Sequence, residues 1–80
     1  MAEGYTFRVE PAVRDGVEVA WDVVAEDDKY IVRFGFYPHR AAAEGLAAVL
    51  RMCTVEVQTK WVAFQVIADG VNPQVKTQGG

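Results

Sequence analysis

Residues 38–53 read PHRAAAEGLAAVLRMC, and the fold turns on how they are taken. Ala42, Leu46, Val49, Leu50 and Cys53 recur at steps of three and four, one face of a 3.6-residue period. Arg40, Glu44, Ala47 and Arg51 fall on the other side. Five alanines favour helix without adding bulk. The stretch therefore predicts a helix with a slim apolar face, made to lie close against a flat partner, most simply a sheet. Pro38 holds Tyr37 extended and is acceptable at a helix start. No Ser, Thr, Asp or Asn stands there to cap the entry. Gly45 costs the helix interior roughly 1 kcal/mol relative to alanine, and is expected to mark a close approach to the sheet beneath Trp21 or Phe34.

The residues before the helix supply the sheet. Tyr5, Phe7 and Val9 alternate with Thr6, Arg8 and Glu10, the period of a half-buried strand. Pro11 lacks a donor and suits an edge or a strand end. Arg14-Asp15-Gly16 reads as a turn, with Gly16 free to take positive φ. A second strand runs from Val17 to Ala25, with Val17, Val19, Trp21 and Val23 on one side and Glu18, Ala20, Asp22 and Val24 on the other. A third runs from Tyr30 to Tyr37, with Tyr30, Val32, Phe34 and Phe36 on one side and Ile31, Arg33, Gly35 and Tyr37 on the other. Gly35 leaves a gap on that second side or marks a bulge. Links this short make the three strands an antiparallel meander.

Past Cys53 the alternation returns. Residues 54–58 (TVEVQ) and 61–68 (WVAFQVIA) alternate in opposite phase, broken at Thr59-Lys60 by a tight hairpin, a bulge in one long strand, or a loop. The expected architecture is α+β: an antiparallel sheet of four to five strands in the order β-β-β-α-β(-β), one helix on one face, and the fourth strand beside the first or the third. Residues 1–70 form the single domain, with a frayed start at Met1–Gly4, and 71–80 (VNPQVKTQGG) a flexible polar tail.

The net charge is −3, and its layout is uneven: residues 1–28 hold eight acids and two bases, residues 29–80 three acids and six bases. No run approaches the roughly 20 apolar residues of a membrane span. MAEGYTF at the start has neither a basic nor an apolar leader region. A single cysteine leaves no internal disulfide, which points to a reducing, cytoplasmic setting.

Little in the chain points to catalysis. His39 and Cys53 would stand at opposite ends of the helix, about 21 Å apart at 1.5 Å per residue, too far for a nucleophile–base pair. One His and one Cys make no zinc site. The segment AEDDKYIV around Asp27 and Asp28 lacks the alternating ligands and central glycine of a calcium loop. No phosphate-binding glycine loop, HExxH or GxSxG is present. No cofactor is expected, and no enzyme. Scattered bases and an acidic balance also disfavour direct binding to nucleic acid. Trp61 reads either as a cap on the core or as an anchor for a partner.

What stands out is the acidic first part. Glu10, Glu18, Asp22, Glu26, Asp27 and Asp28 lie on two adjoining strands and their loop, a rigid frame on which carboxylates mimic the spacing of phosphates. In size, single-domain build and acid placement the chain resembles small phage-encoded inhibitors, including the anti-CRISPR class. The resemblance implies a non-catalytic inhibitor, monomeric or weakly dimeric, that occupies the basic nucleic-acid-binding site of a partner protein or complex and blocks DNA binding. The alternative is a subunit-like or antitoxin-like module that works by pairing with itself or another chain. The strand and helix order resembles the small antitoxin domains with a partial ribonuclease-H fold.

Overall fold

The computed structural model describes residues 4–76. Its elements are β1 (Thr6–Arg14), β2 (Val17–Glu26), β3 (Tyr30–Tyr37), α1 (Arg40–Arg51), α2 (Val55–Asp69) and β4 (Gln74–Val75). The four strands form one antiparallel sheet in the order β1-β2-β3-β4. The α+β class and the antiparallel sheet with helix on one face are as expected. Residues 54–68 are not: they form a second helix, α2, in place of strand. The fourth strand lies beyond it, within the expected tail, and pairs Val75 with Tyr30 and Gln74 with Ile31. Lys76 N donates to Lys29 O at 2.7 Å. The chain is thus tied into the fold as far as Lys76, while residues 1–3 and 77–80 lie outside the described residues.

The two helices differ in how they begin. At α1 His39 stands in extended conformation and its side chain caps nothing, in keeping with the uncapped entry. At α2 the Thr54 hydroxyl accepts the amide of Val57 at 3.3 Å, Glu56 sits in the positively polarised first turn, and Gly70 closes the helix in the left-handed conformation at φ 64°. These end signals outweigh the strand preference of Val55, Val57, Thr59, Val62, Val66 and Ile67.

Both helices share one core. Phe7 from β1, Val23 and Ala25 from β2, and Val32 and Phe34 from β3 pack with Ala43, Ala47 and Leu50 of α1 and Val62 of α2. The apolar face of α1 is rotated from the expected one: Ala47 is fully buried, whereas Ala42 and Val49 are exposed. Arg51, expected to point outward, donates two hydrogen bonds to the Phe7 carbonyl, at 3.0 and 2.6 Å. Gly45 faces open space, with nothing within 4 Å of where a Cβ would stand, so no close approach to the sheet explains it.

Bulges reset the phase of two strands. One falls between Ala12 and Val13, beside the Asp15-Gly16 turn, where both residues have positive φ. The hairpin end beyond it carries Val13, Val17 and Val19 into solvent rather than onto the core. The other falls opposite Trp21 and Val23, where Gly35 (φ 103°) and Phe36 (φ 57°) supply the extra residue. Phe36, which strict alternation puts on the side of Val32 and Phe34, is therefore exposed, and Tyr37 takes the core side.

The outer edge of β1 is closed by side chains. Gln58 Oε1 accepts the Tyr5 amide at 3.2 Å, and Arg51 occupies the Phe7 carbonyl. Both residues are odd-numbered, the parity that turns backbone groups away from β2. Pro11 shares that parity, so its missing N–H costs the ladder nothing. On the far edge, the Asp69 carboxylate accepts the Gly35 amide at 3.2 Å.

Candidate interaction surfaces

Register places charged side chains side by side on the sheet face away from the helices. Arg8, Val24 and Arg33 stand in one row, Glu10 beside Asp22 in the next, and Thr6, Glu26 and Ile31 in a third. Glu10 is bonded to both Arg8 (2.6 Å) and Arg33. Glu26 is bonded to Arg8 and to Lys76, each at 2.6 Å. Val24, which lies between the two arginines, is fully buried on this mostly polar face.

The six acids expected to form one surface therefore play separate roles. Glu10 and Glu26 sit inside the ion-pair network. Asp22 is half-buried, and desolvation raises its pKa against the pull of Arg33. Asp27 Oδ1 accepts the amides of Lys29 (2.9 Å) and Tyr30 (2.7 Å), fixing the β2–β3 turn. Among the described residues Glu18 and Asp28 are exposed and make no ion pair. They stand toward opposite ends of β2, which spans about 26 Å from position 18 to 26 at 3.3 Å per residue.

The network has a pH signature. Hydrogen bonds from Arg33 and then Arg8 lower the pKa of Glu10, and those from Lys76 and then Arg8 lower that of Glu26. A carboxyl lowered in the folded state stabilises the fold above its ordinary value of 4.5, and loses that contribution as pH falls through the folded value. Asp22, raised on folding, acts in the opposite sense: its cost is relieved on acidification. Glu26 is the one tied to β4, so the pairing of Gln74 and Val75 is expected to open below about pH 4.5 before the core melts. Hydrogen exchange of these amides reads this directly. Glu26→Gln is expected to bring the same opening at neutral pH; unchanged protection in that variant would show that β4 is held by its backbone bonds alone.

Among the described residues His39 and Cys53 stand at opposite ends of α1. Cys53 Sγ lies 3.3 Å from the Val49 carbonyl at the end of α1, and His39 precedes its first turn. Among the described residues no three of His, Cys, Asp and Glu gather as metal ligands. A shallow depression of about 380 Å³ borders the β3 bulge, lined by Asp22, Arg33, Phe36 and Asp69 among others. Its Asp69 carboxylate is already engaged by Gly35 and Gln65.

The helical layer presents different chemistry. On α2 Gln58 and Val62 are buried, and Gln65 and Val66 are partly so. Val57, Trp61, Phe64 and Ile67 remain exposed, with the Trp61 and Phe64 rings edge to face at 6.2 Å. Val49 and Met52 are exposed on α1. The charges among them cancel locally, Glu56 with Lys60 at 3.7 Å and Glu44 with Arg40 at 3.2 Å. Sequence reading singled out Trp61 and missed the rest of this stripe, because it took residues 54–68 as strand. The signal was present in Thr54, Gly70 and the four-three-four spacing of Val57, Trp61, Phe64 and Ala68.

Comparison of the chain with protein-family models, with curated proteins and with solved structures gives no match in any of the three. Among the described residues no helix is long and apolar enough to cross a membrane.

Proposed function

We propose that this chain is a non-catalytic binding module that works by pairing with another polypeptide through the outward side of its helical layer. The observation that carries this reading is α2, a helix that leaves Val57, Trp61, Phe64 and Ile67 in water. A surface helix of a monomer ordinarily turns a charged face outward. Contiguous exposed apolar surface beyond a few hundred Å² marks an interaction site, and Trp is the residue type most enriched at binding hot spots. This reading belongs with the subunit-like or antitoxin-like alternative.

The acidic-inhibitor reading, of the anti-CRISPR-like kind, is second. Exposed Glu18 and Asp28 favour it. Against it stand the two bases bonded to each of Glu10 and Glu26, which remove the middle of the proposed phosphate mimic.

A pull-down with the tagged chain, nucleic acid digested beforehand, separates the two. Pairing through the helices predicts capture that survives high salt and weakens about 30-fold or more on Trp61→Ser, the loss of a hot-spot residue. Capture that is lost at high salt and on joint Glu18→Lys and Asp28→Lys substitution, but kept by Trp61→Ser, would replace it with the acidic reading.

A further inference from the structure

We infer that the occupant of the helical layer is a second copy of the chain, the two layers meeting across a two-fold axis that crosses α2 between Val62 and Ala63. The inference rests on the pairing reading and specifies its partner.

Three features carry it. First, the stripe is self-complementary. The spacing from Val57 to Trp61 to Phe64 to Ala68 reads the same from either end. When two such helices lie antiparallel, Trp61 of each copy meets Phe64 of the other, and Val57 meets Ala68. That is the arrangement an isologous contact requires, with the same patch on both sides. Large residues occupy the centre and smaller ones the ends, which lets two helices cross at a shallow angle.

Second, the area is sufficient. Ala43, Ala47 and Leu50 of α1 and Val62 of α2 pack into one core, and both helices leave large apolar side chains in water. Val49, Met52, Val57, Trp61, Phe64 and Ile67 are each between 39% and 86% exposed. At about 150–250 Å² for a large side chain, they offer on the order of 700 Å² per copy. The pair would bury about 1,400 Å², inside the roughly 1,200–2,000 Å² of specific protein–protein interfaces. On α2 alone the area would fall short, so the inferred contact takes in Val49 and Met52, exposed near the α1–α2 junction, as well.

Third, the electrostatics select this face. Each copy carries a net charge of −3, and two copies repel. The helical layer is locally neutral, since Glu56–Lys60 and Arg40–Glu44 are internal pairs. Among the described residues, the other acids without an ion pair, Asp15, Glu18, Asp22, Asp27 and Asp28, lie on the β1–β2 hairpin and the β2–β3 turn, while Asp69 at the end of α2 is taken up by the Gly35 amide. Added salt therefore screens the repulsion between copies without weakening the contact.

Sedimentation equilibrium of the whole chain from about 5 to 500 µM tests the inference. The expected result is a mass rising from the 8.8 kDa monomer toward its double, at least as readily at high salt. Trp61→Glu and Phe64→Glu should each weaken association about 30-fold or more, with unchanged far-ultraviolet circular dichroism. A mixed sample of labelled and unlabelled wild-type chain needs no substitution: isotope-filtered nuclear Overhauser contacts should join the Trp61 indole of one copy to the Phe64 ring of the other. A monomer throughout the range, or a dimer without those contacts, overturns the inference. If the chain is monomeric and Trp61→Ser still abolishes capture in the pull-down, self-pairing falls and the pairing reading stands. If neither self-association nor Trp61-dependent capture is seen, both fall.

Discussion

Leucine in place of Gln58 is expected to lower the unfolding free energy by about 3–5 kcal/mol, although the two side chains are similar in size. Gln58 is 7% exposed and is the buried polar residue of α2. Its Oε1 accepts the Tyr5 amide at 3.2 Å, and its Nε2 donates to the carbonyls of Leu50 at 3.0 Å and Cys53 at 3.3 Å. One amide group thus joins the lead-in to β1, the last turn of α1 and the first turns of α2. Leucine leaves the Tyr5 amide and the Cys53 carbonyl without these partners and takes one of two donors from the Leu50 carbonyl, which keeps the Cys53 amide at 3.1 Å, at about 1–3 kcal/mol for each group left buried. An 80-residue domain has on the order of 4–12 kcal/mol in all, so the variant stands near its unfolding threshold at room temperature. Urea titration, with the slope against denaturant checked for constancy, gives the number. A loss under about 1 kcal/mol would show that water or a shifted backbone satisfies these groups, and that Gln58 is no bracket between the elements.

The second large effect falls on α1. Leu50→Ala should cost about 3–5 kcal/mol, through lost burial and the cavity left beside Phe7 and Val62. Val49→Ala, one residue away, should change stability by about 0.5 kcal/mol or less. The contrast follows from position: Leu50 is 0% exposed, Val49 57%. Thermal unfolding of the two variants side by side checks it. Comparable costs would mean that the buried stripe of α1 is not Ala43, Ala47 and Leu50. In the pairing assay the order reverses, because Val49 belongs to the outward face.

That pair also marks how far the sequence could be read. The three-residue and four-residue recurrence identifies α1, but the recurrence is met by two overlapping stripes. Ala43 and Ala47 are too small to weigh against Leu46 and Val49 until the sheet chooses between them. The meander was legible because its turns are local: Asp15-Gly16 and Asp27 act on their own neighbours. The bulge at Gly35-Phe36 was foreseen as a possibility at Gly35, yet its consequence for Phe36 and Tyr37 was not, since phase depends on the partner strand. Residues 54–68 misled because α2 carries apolar and polar residues on both its buried and its exposed sides, Gln58 beside Val62 within and Glu56 and Lys60 beside Trp61 and Phe64 without. With no clean division between faces the helical period does not show, and its β-branched residues alternate by chance. The acidic positions were read correctly as positions. Their partners were hidden, because Arg8, Arg33 and Lys76 reach Glu10 and Glu26 only once the register is set.

The capped groups along the sheet edges bear on what form an assembly can take. A bare strand edge is a template that copies itself, and copies added edge to edge have no natural end. Here the template is interrupted at Tyr5, Phe7 and Pro11 on one side and at Gly35 on the other. Strand addition is hindered at these points, which leaves the faces as the readier surfaces for contact between copies. A two-fold contact between faces is used up once it is made, which gives a particle of fixed size.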